Sequence, residues 1–326
     1  TWKASLSWQP IDWLRLRATR SRDFRAPNFA DLFLASASAF GPITNRFLGA
    51  PQAPPTTVTG GSPDLEAERA KTTTFGFVFQ PAWGWSEGLQ LSVDHYDISV
   101  EGYISSPPGG GQFIIDRCFA GNAQACGLIT FAPGQVITEI RNVSLNLDEL
   151  VTSGQDIELS YRRPVGAGNL SFRVLATHVE EVTAESFGIA VDRAGQTGSL
   201  LSNGVPDWLV NSFVTYTREP FSVTLQGRYI DKGVVDATRI DPSDAGFDNT
   251  VFNSTNDNHV ASAFYLNLYG SFDIRAFGDQ DVEVFGVVNN LLDKTPPFAP
   301  EGQYPTNPTF FDQIGRTYRL GVRMSF

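Results

Sequence analysis

Several side chains in this sequence are of types that do chemistry, and each has a plain structural alternative. Cys118 and Cys126 are the only cysteines, set in Asp116-Arg-Cys-Phe-Ala-Gly-Asn-Ala-Gln-Ala-Cys-Gly127. The segment between them closes a small loop easily, so a disulfide is expected. A metal pair is the lesser reading, because no histidine or third cysteine lies near. Arg15, Arg17, Arg22 and Arg25 crowd one stretch. Basic groups suit anionic chelates or acids, and the alternative is a polar lining held by salt bridges, which is favoured. Asp236, Asp241, Asp244, Asp248 and Asp257 share a segment with Asn249, Asn253, Asn256 and Asn258. Hard oxygen ligands hold Ca²⁺, but the spacing is not that of an EF-hand. Asp and Asn equally form self-bonded turns, so a solvated loop is the preferred reading. His95, His178 and His259 are the only histidines, none in a metal spacing, and no nucleophile elbow or nucleotide-binding glycine loop occurs. No catalytic centre, resident metal or cofactor is expected.

The elements that position these residues follow from hydrophobic period. In Thr317-Tyr-Arg-Leu-Gly-Val-Arg-Met-Ser-Phe326, Tyr318, Leu320, Val322, Met324 and Phe326 share one face, and Thr317, Arg319, Gly321, Arg323 and Ser325 the other. Successive strand residues point to opposite sides, so this segment reads as a strand with one apolar and one wet surface. A strand of about ten residues tilted at ~45° is long enough to cross a bilayer. The same alternation runs through Leu14-Leu16-Ala18, Phe75-Phe77-Phe79, Leu89-Leu91-Val93, Leu170-Phe172-Val174-Ala176, Phe221-Val223-Leu225 and Phe264-Leu266-Leu268. With 1–8, 150–162, 207–217, 281–289 and 317–326 the count is about eleven strands. Helical spacing is not sustained anywhere. Arg15 and Arg17 take the inward phase, and Arg22 and Arg25 are placed beyond the strand, at its mouth. His95 and His178 take the outward phase, so a lipid-facing Ser/His hydrolase is the enzyme alternative and is disfavoured.

Composition agrees with a β-rich membrane protein. The 326 residues include 25 Phe, 9 Tyr and 6 Trp against 1 Met, and strands favour aromatic side chains. Lys and Arg number 24 against 35 Asp and Glu, a formal charge of -11, which argues against nucleic acid as a partner. No run approaches the ~18 consecutive apolar residues of a transmembrane helix. A mean hydropathy of -0.14 still suits a transmembrane barrel, whose segments are only half apolar.

Connections alternate in length. Short ones (9–12, 80–88, 163–168, 218–220 and Phe277-Gly278-Asp279-Gln280) take turns with long ones (21–69, 104–149, 181–206, 233–261 and 291–315). Short turns at one end and long loops at the other are the habit of outer-membrane barrels. A soluble sandwich with large insertions is the alternative, and five such alternations disfavour it. Phe33, Phe40, Phe47, Phe298, Tyr304, Phe310 and Phe311 in the loops suit stacking on a ligand ring, packing between loops, or the headgroup level.

Specific stretches carry a resemblance. Ser21-Arg-Asp-Phe-Arg-Ala-Pro27 followed by Asp31-Leu32-Phe33 resembles the S-x-x-F-R-A-P…(E/D)-L-F signature of TonB-dependent receptors. Ser62-Pro-Asp-Leu-Glu-Ala-Glu68 resembles their N-P-x-L-x-x-E stretch, with Ser in place of Asn. Val288-Asn-Asn-Leu-Leu-Asp-Lys294 resembles N-L-F-D-K, and Gly315-Arg316-Thr-Tyr318 with the terminal Phe326 resembles the closing G-R-x-Y…F. The resemblance implies a Gram-negative outer-membrane barrel of about 22 strands with a plugged lumen. Residues 1–326 would be the C-terminal part of that barrel, with the plug and the first half outside this chain. Strand parity then places the first strand mid-barrel, descending from the extracellular rim. The resemblance further implies uptake of a scarce ligand, most commonly a ferric siderophore, with a carbohydrate as runner-up and a passive porin or adhesin as the alternative class. The implied partners are outer-membrane lipid, the small-molecule ligand and TonB through the absent plug segment. Arg15, Arg17, Arg22 and Arg25 would face the ligand or the plug.

Overall fold

The structure, a computed structural model, describes residues 1–107, 109–198, 204–251, 253–275, 281–299 and 305–325. The alternating segments form β1 (Trp2–Ile11), β2 (Leu14–Arg25), β3 (Glu68–Phe79), β4 (Leu89–Glu101), β5 (Glu149–Val165) and β6 (Gly168–Ser186). They continue as β7 (Trp208–Arg218), β8 (Phe221–Ile230), β9 (Ala263–Arg275), β10 (Asp281–Asn289) and β11 (Thr317–Ser325). Each pairs antiparallel with its neighbours in sequence, so the sheet is a meander from β1 to β11. A short strand, Ile189–Asp192, pairs with the end of β6 and makes the sheet 12-stranded. The sheet is open, with β1 and β11 at its edges. The turn at Phe277-Gly278-Asp279-Gln280, the loop residue Tyr304 and the terminal Phe326 lie outside the described residues.

Register turns the period-2 pattern into two continuous surfaces. Trp8, Leu16, Phe77 and Val93 share one row across β1 to β4, and Leu6, Ala18, Phe75 and His95 the next. At the other end of the sheet Phe272 stands beside Val284, and Val284 beside Val322. Much of this apolar face is exposed: Leu6 is 66% accessible and Leu320 86%. In water that would be a severe liability. Against hydrocarbon it is the expected outer surface of a barrel, with the polar face turned to the lumen. Trp13, Phe79 and Trp83 pack edge to face at the short-turn end, with ring centroids 5.5 to 6.3 Å apart. Aromatic rings gather where hydrocarbon meets headgroups. No helix among the described residues is long and apolar enough to cross a membrane.

The long connections are largely folded. Those between β2 and β3 and between β4 and β5 contribute Ala37–Phe40, Thr56–Thr59, Ile129–Ala132 and Val136–Arg141 to one four-stranded sheet. Thr56–Thr59 and Val136–Arg141 pair in parallel, which only residues distant in sequence can do. Helices α1 (Phe29–Phe33), α2 (Gly110–Phe119) and α3 (Ala123–Cys126) accompany them. Contrary to the expectation that helical spacing is nowhere sustained, α2 runs for 10 residues. Cys118 lies one turn beyond Ile114 and Ile115, and all three face a core with Ile129, Ile137, Ile140 and Phe187. Ile114, Ile115 and Ile140 are fully buried, each contributing about 1.5–3 kcal/mol relative to exposure. A second core, Ile230, Val235, Val260, Ala263, Tyr265, Ala299 and Phe311, gathers the later loops over the ends of β8 and β9.

Candidate functional site: lumen wall and loop rim

Several lumen-facing charges are paired. Arg17, Gly76 and Asp94 lie in one row on the polar face. Arg17 reaches across the glycine to Asp94, with Nε 2.5 Å from Oδ1, and its Nη2 donates to Ser92 Oγ at 2.8 Å. A side chain at Gly76 would collide with Asp94, so the glycine is the gap through which the pair forms. Further along the wall Arg173 binds Glu158 at 2.9 Å and Arg323 binds Glu283 at 2.6 Å. Glu283 also accepts from Tyr269 Oη at 3.2 Å, and the Arg323 guanidinium lies 5.7 Å from the Phe285 ring centre. Arg15 extends only to Gln9 Oε1 at 3.5 Å. Among the described residues it has no carboxylate partner, unlike Arg17.

At the long-loop end the sequence motifs meet. Arg25 donates from Nε and Nη2 to Glu68 at 2.6 and 2.8 Å and from Nη1 to Asp31 at 2.8 Å. Asp31 also accepts from the Asn28 backbone N–H at 2.9 Å, and Asn28 Oδ1 from the Asp31 N–H at 2.8 Å, a reciprocal cap on α1. That N–H, then Arg25, hold the Asp31 carboxyl below the usual carboxylate range. Glu68 is buried and also accepts from Ile104 N–H at 2.7 Å. One node thus joins residues of two motifs to the loop after β4. A second clasp sits across the sheet. Asn290, fully buried with φ 50°, exchanges hydrogen bonds with the Lys294 backbone at 2.8 and 2.9 Å. Asp293 Oδ1 accepts from Arg316 N–H at 3.0 Å, tying the 288–294 motif to the 315–318 motif.

The four arginines therefore separate. Arg15 and Arg17 lie on the lumen face. Arg25 ends β2 with every guanidinium nitrogen committed. Arg22 is corrected: β2 continues to Arg25, so strand parity places Arg22 inside the strand and on the outer face, beside Trp2 and Lys71. Cys118 and Cys126 are joined by a disulfide that links α2 to α3. In the aspartate-rich loop the carboxylates cap their own backbone. Asp236, Asp241 and Asp248 each accept from the N–H two residues on, at 2.8 to 2.9 Å. Hydrogen bonds from Ser243 and Asn258 keep the Asp241 carboxyl below its ordinary range. Asp241 and Asp257 also flank His259 Nδ1 at 3.2 and 3.1 Å, a grouping that sequence spacing did not show. His95 packs on Phe75 at 4.9 Å and His178 stacks on Trp208 at 4.3 Å, both on the outer wall. Among the loop aromatics, Phe47 packs on Phe119 and Phe131, and Phe310 on Phe311.

Residues 1–291 match the sequence model of the family described as TonB dependent receptor-like, beta-barrel. Among solved structures, the siderophore receptor PirA from Acinetobacter baumannii is similar, with a TM-score of 0.60 and 15% identity over 99% of this chain and 40% of that one. The ferric enterobactin receptor PfeA from Pseudomonas aeruginosa, solved with enterobactin, gives 0.62 at 13% identity over 99% of this chain and 40% of that one. The FrpB iron transporter from Neisseria meningitidis gives 0.55 at 14% identity, over 98% and 38%. At these identities the likeness is one of fold. The chain spans about two fifths of the length of these relatives. No curated protein matches it in sequence.

Proposed function

Because this chain belongs to the TonB-dependent receptor family, as part of its outer-membrane β-barrel, we propose that it forms the C-terminal part of a receptor that imports a ferric siderophore. The family consists of transporters and receptors of the Gram-negative outer membrane rather than enzymes. The observation that carries the reading is the match over residues 1–291 on a wall that is apolar outside and ion-paired inside. Such a wall suits a lumen filled by a polar plug rather than an open aqueous pore. Folded loops at the rim capture the ligand, and the plug, outside this chain, couples its release to TonB. Of the two sequence-selected arginines on the lumen face, Arg15 is assigned to contact with plug or ligand, since, unlike Arg17, it has no carboxylate partner among the described residues.

The test is uptake of radiolabelled iron by cells carrying the whole receptor, supplied with ferric siderophores or, in parallel, with labelled oligosaccharides. Saturable accumulation of iron that stops when TonB is deleted is expected. TonB-dependent accumulation of sugar alone would move the cargo to carbohydrate. Flux of either solute that persists without TonB would mean a passive pore.

A further inference from the structure

We propose that the outer wall of β1 to β3, at its long-loop end, is a binding surface for a phosphorylated lipid headgroup of the outer leaflet. The inference rests on the barrel's placement in the outer membrane and not on its cargo. Reading up the outer face from the short-turn end, the rows run Trp8-Leu16-Phe77, then Leu6-Ala18-Phe75, then Ala4-Arg20-Thr73, then Trp2-Arg22-Lys71, and finally Phe24-Arg69. Three apolar side chains per row thus give way to four cations in three successive rows, on the face that touches lipid. Directly opposed residues stand about 5 Å apart and rows about 7 Å apart, so the four charges share a patch the size of one headgroup.

Height on the wall decides what this patch meets. The apolar band of such a barrel is about 25 Å tall, with strands tilted ~35–45°. At ~3.4 Å per residue that is roughly nine or ten residues of strand. Counted from Phe79, which packs in the aromatic cluster at the short-turn end, the far interface falls near Ala70. Lys71 and Arg69 therefore stand at headgroup level. Arg20 lies just below, with a side chain long enough to extend upward. Counted in the same way from the short-turn ends of their own strands, Gly168 and Phe221, His178 stacked on Trp208 and Tyr229 beside Phe264 stand roughly eight to ten residues up the wall. Cations replacing an aromatic belt at the interface are the complement of anionic headgroups.

The cations are only partly satisfied within the protein. Arg20 donates to the neutral Thr73 hydroxyl at 3.1 Å. Lys71 pairs with Glu101, both side chains remaining nearly half exposed. Arg22 and Arg69 feel the same Glu101 but form no ion pair of their own among the described residues. On the wall itself the four cations face two carboxylates, Glu101 and Asp97 of β4, while Asp64 and Glu66 of the segment leading into β3 lie near Arg69 at the upper margin. Beyond Glu101 the row continues as Glu149 and Glu185, which confines the positive surface to β1 through β3. Trp2 and Phe24, 52% and 62% exposed, flank it at the same level, where aromatic rings sit among headgroups.

The experiment uses the whole receptor in dodecyl maltoside and native mass spectrometry. The probes are lipid A, the same lipid stripped of phosphate, and inorganic phosphate. The wild type is expected to retain lipid A, with retention falling as salt rises. R20Q/R22Q/R69Q/K71Q should bind it at least tenfold more weakly, with R22Q/R69Q intermediate. R163Q/R218Q, on the same wall at the short-turn end, should match the wild type. Unboiled gel mobility checks that each variant has folded, and the double variant serves if the quadruple one has not. Equal retention by the folded variants would overturn the proposal. So would equal binding of the dephosphorylated lipid, which would mean capture by acyl chains alone. Displacement of lipid A by equimolar inorganic phosphate would overturn it too, since that would mark a free-ion site.

Discussion

Gly76 shows how a single position on the lumen wall was set by its neighbours. It lies between Arg17 and Asp94 in one row, and a methyl there would overlap both the Asp94 carboxylate and the Val93 carbonyl. Gly76→Ala is expected to cost about 1–3 kcal/mol through overpacking. Asp94→Asn keeps the shape and loses only a half-exposed charge pair, so its cost should stay within about 0.2–1 kcal/mol. The temperature at which the folded band converts to the unfolded one on gels separates the two, and an equal or larger shift in the Asn variant would refute this ordering. A different single group sets the response to acid. The Asn28 N–H and Arg25 lower the folded-state pKa of Asp31. Its stabilising contribution is therefore complete above the unfolded value near 3.9 and is lost as pH falls through the lower folded value. Hydrogen exchange at the first loop should be flat from about pH 5 to 8 after correction for intrinsic rates. Below about pH 4 it should rise, and Asp31→Asn should abolish that rise. Sequence reading selected Arg25, Asp31 and Glu68 as motif letters but not as mutual partners. Their separations, 43 residues from Arg25 to Glu68 and 6 to Asp31, carry no periodic signal.

At the scale of elements, what was legible was whatever repeats. Period-2 alternation located the strands because each has one face in hydrocarbon, so every outward residue is under the same constraint. Strand ends were less legible. The apolar alternation of β2 stops at Ala18, which puts Arg22 in the following loop, although the backbone continues as strand to Arg25. The loop architecture was not legible at all, since α2 has only 10 residues and the small sheet joins segments from two different loops. The disulfide was visible only because two cysteines stood alone. It staples α2 to α3, with Cys118 itself buried in the loop core. Closing so short a loop stabilises by roughly 2–3 kcal/mol. C118S/C126S is expected to expose residues 110–126 to proteolytic nicking while leaving the unboiled mobility of the barrel unchanged. Loss of the folded band would instead mean that the loop domain and the wall fold as one unit.

For the whole molecule the governing fact is that, among the described residues, the outer edges of β1 and β11 remain unpaired. Among the described residues the meander has eleven long strands, an odd number, so β1 and β11 run in the same direction. Antiparallel closure of the one on the other is ruled out by that parity, and single-chain bacterial barrels have even strand numbers. In lipid each edge would leave a row of backbone groups without partners, at several kcal/mol per group. In water the apolar outer wall would be exposed along its full length. Neither solvent accommodates the open sheet, whereas solved relatives of which it covers about 40% enclose the same fold in longer chains. The 326-residue chain refolded alone into detergent is therefore expected to aggregate, or to dimerise edge to edge, and to show no heat-modifiable compact band. The whole receptor, treated identically, should show one. A compact, heat-modifiable monomer from the chain alone would sink this account, because it would require β1 and β11 to pair in parallel or the odd strand to leave the wall.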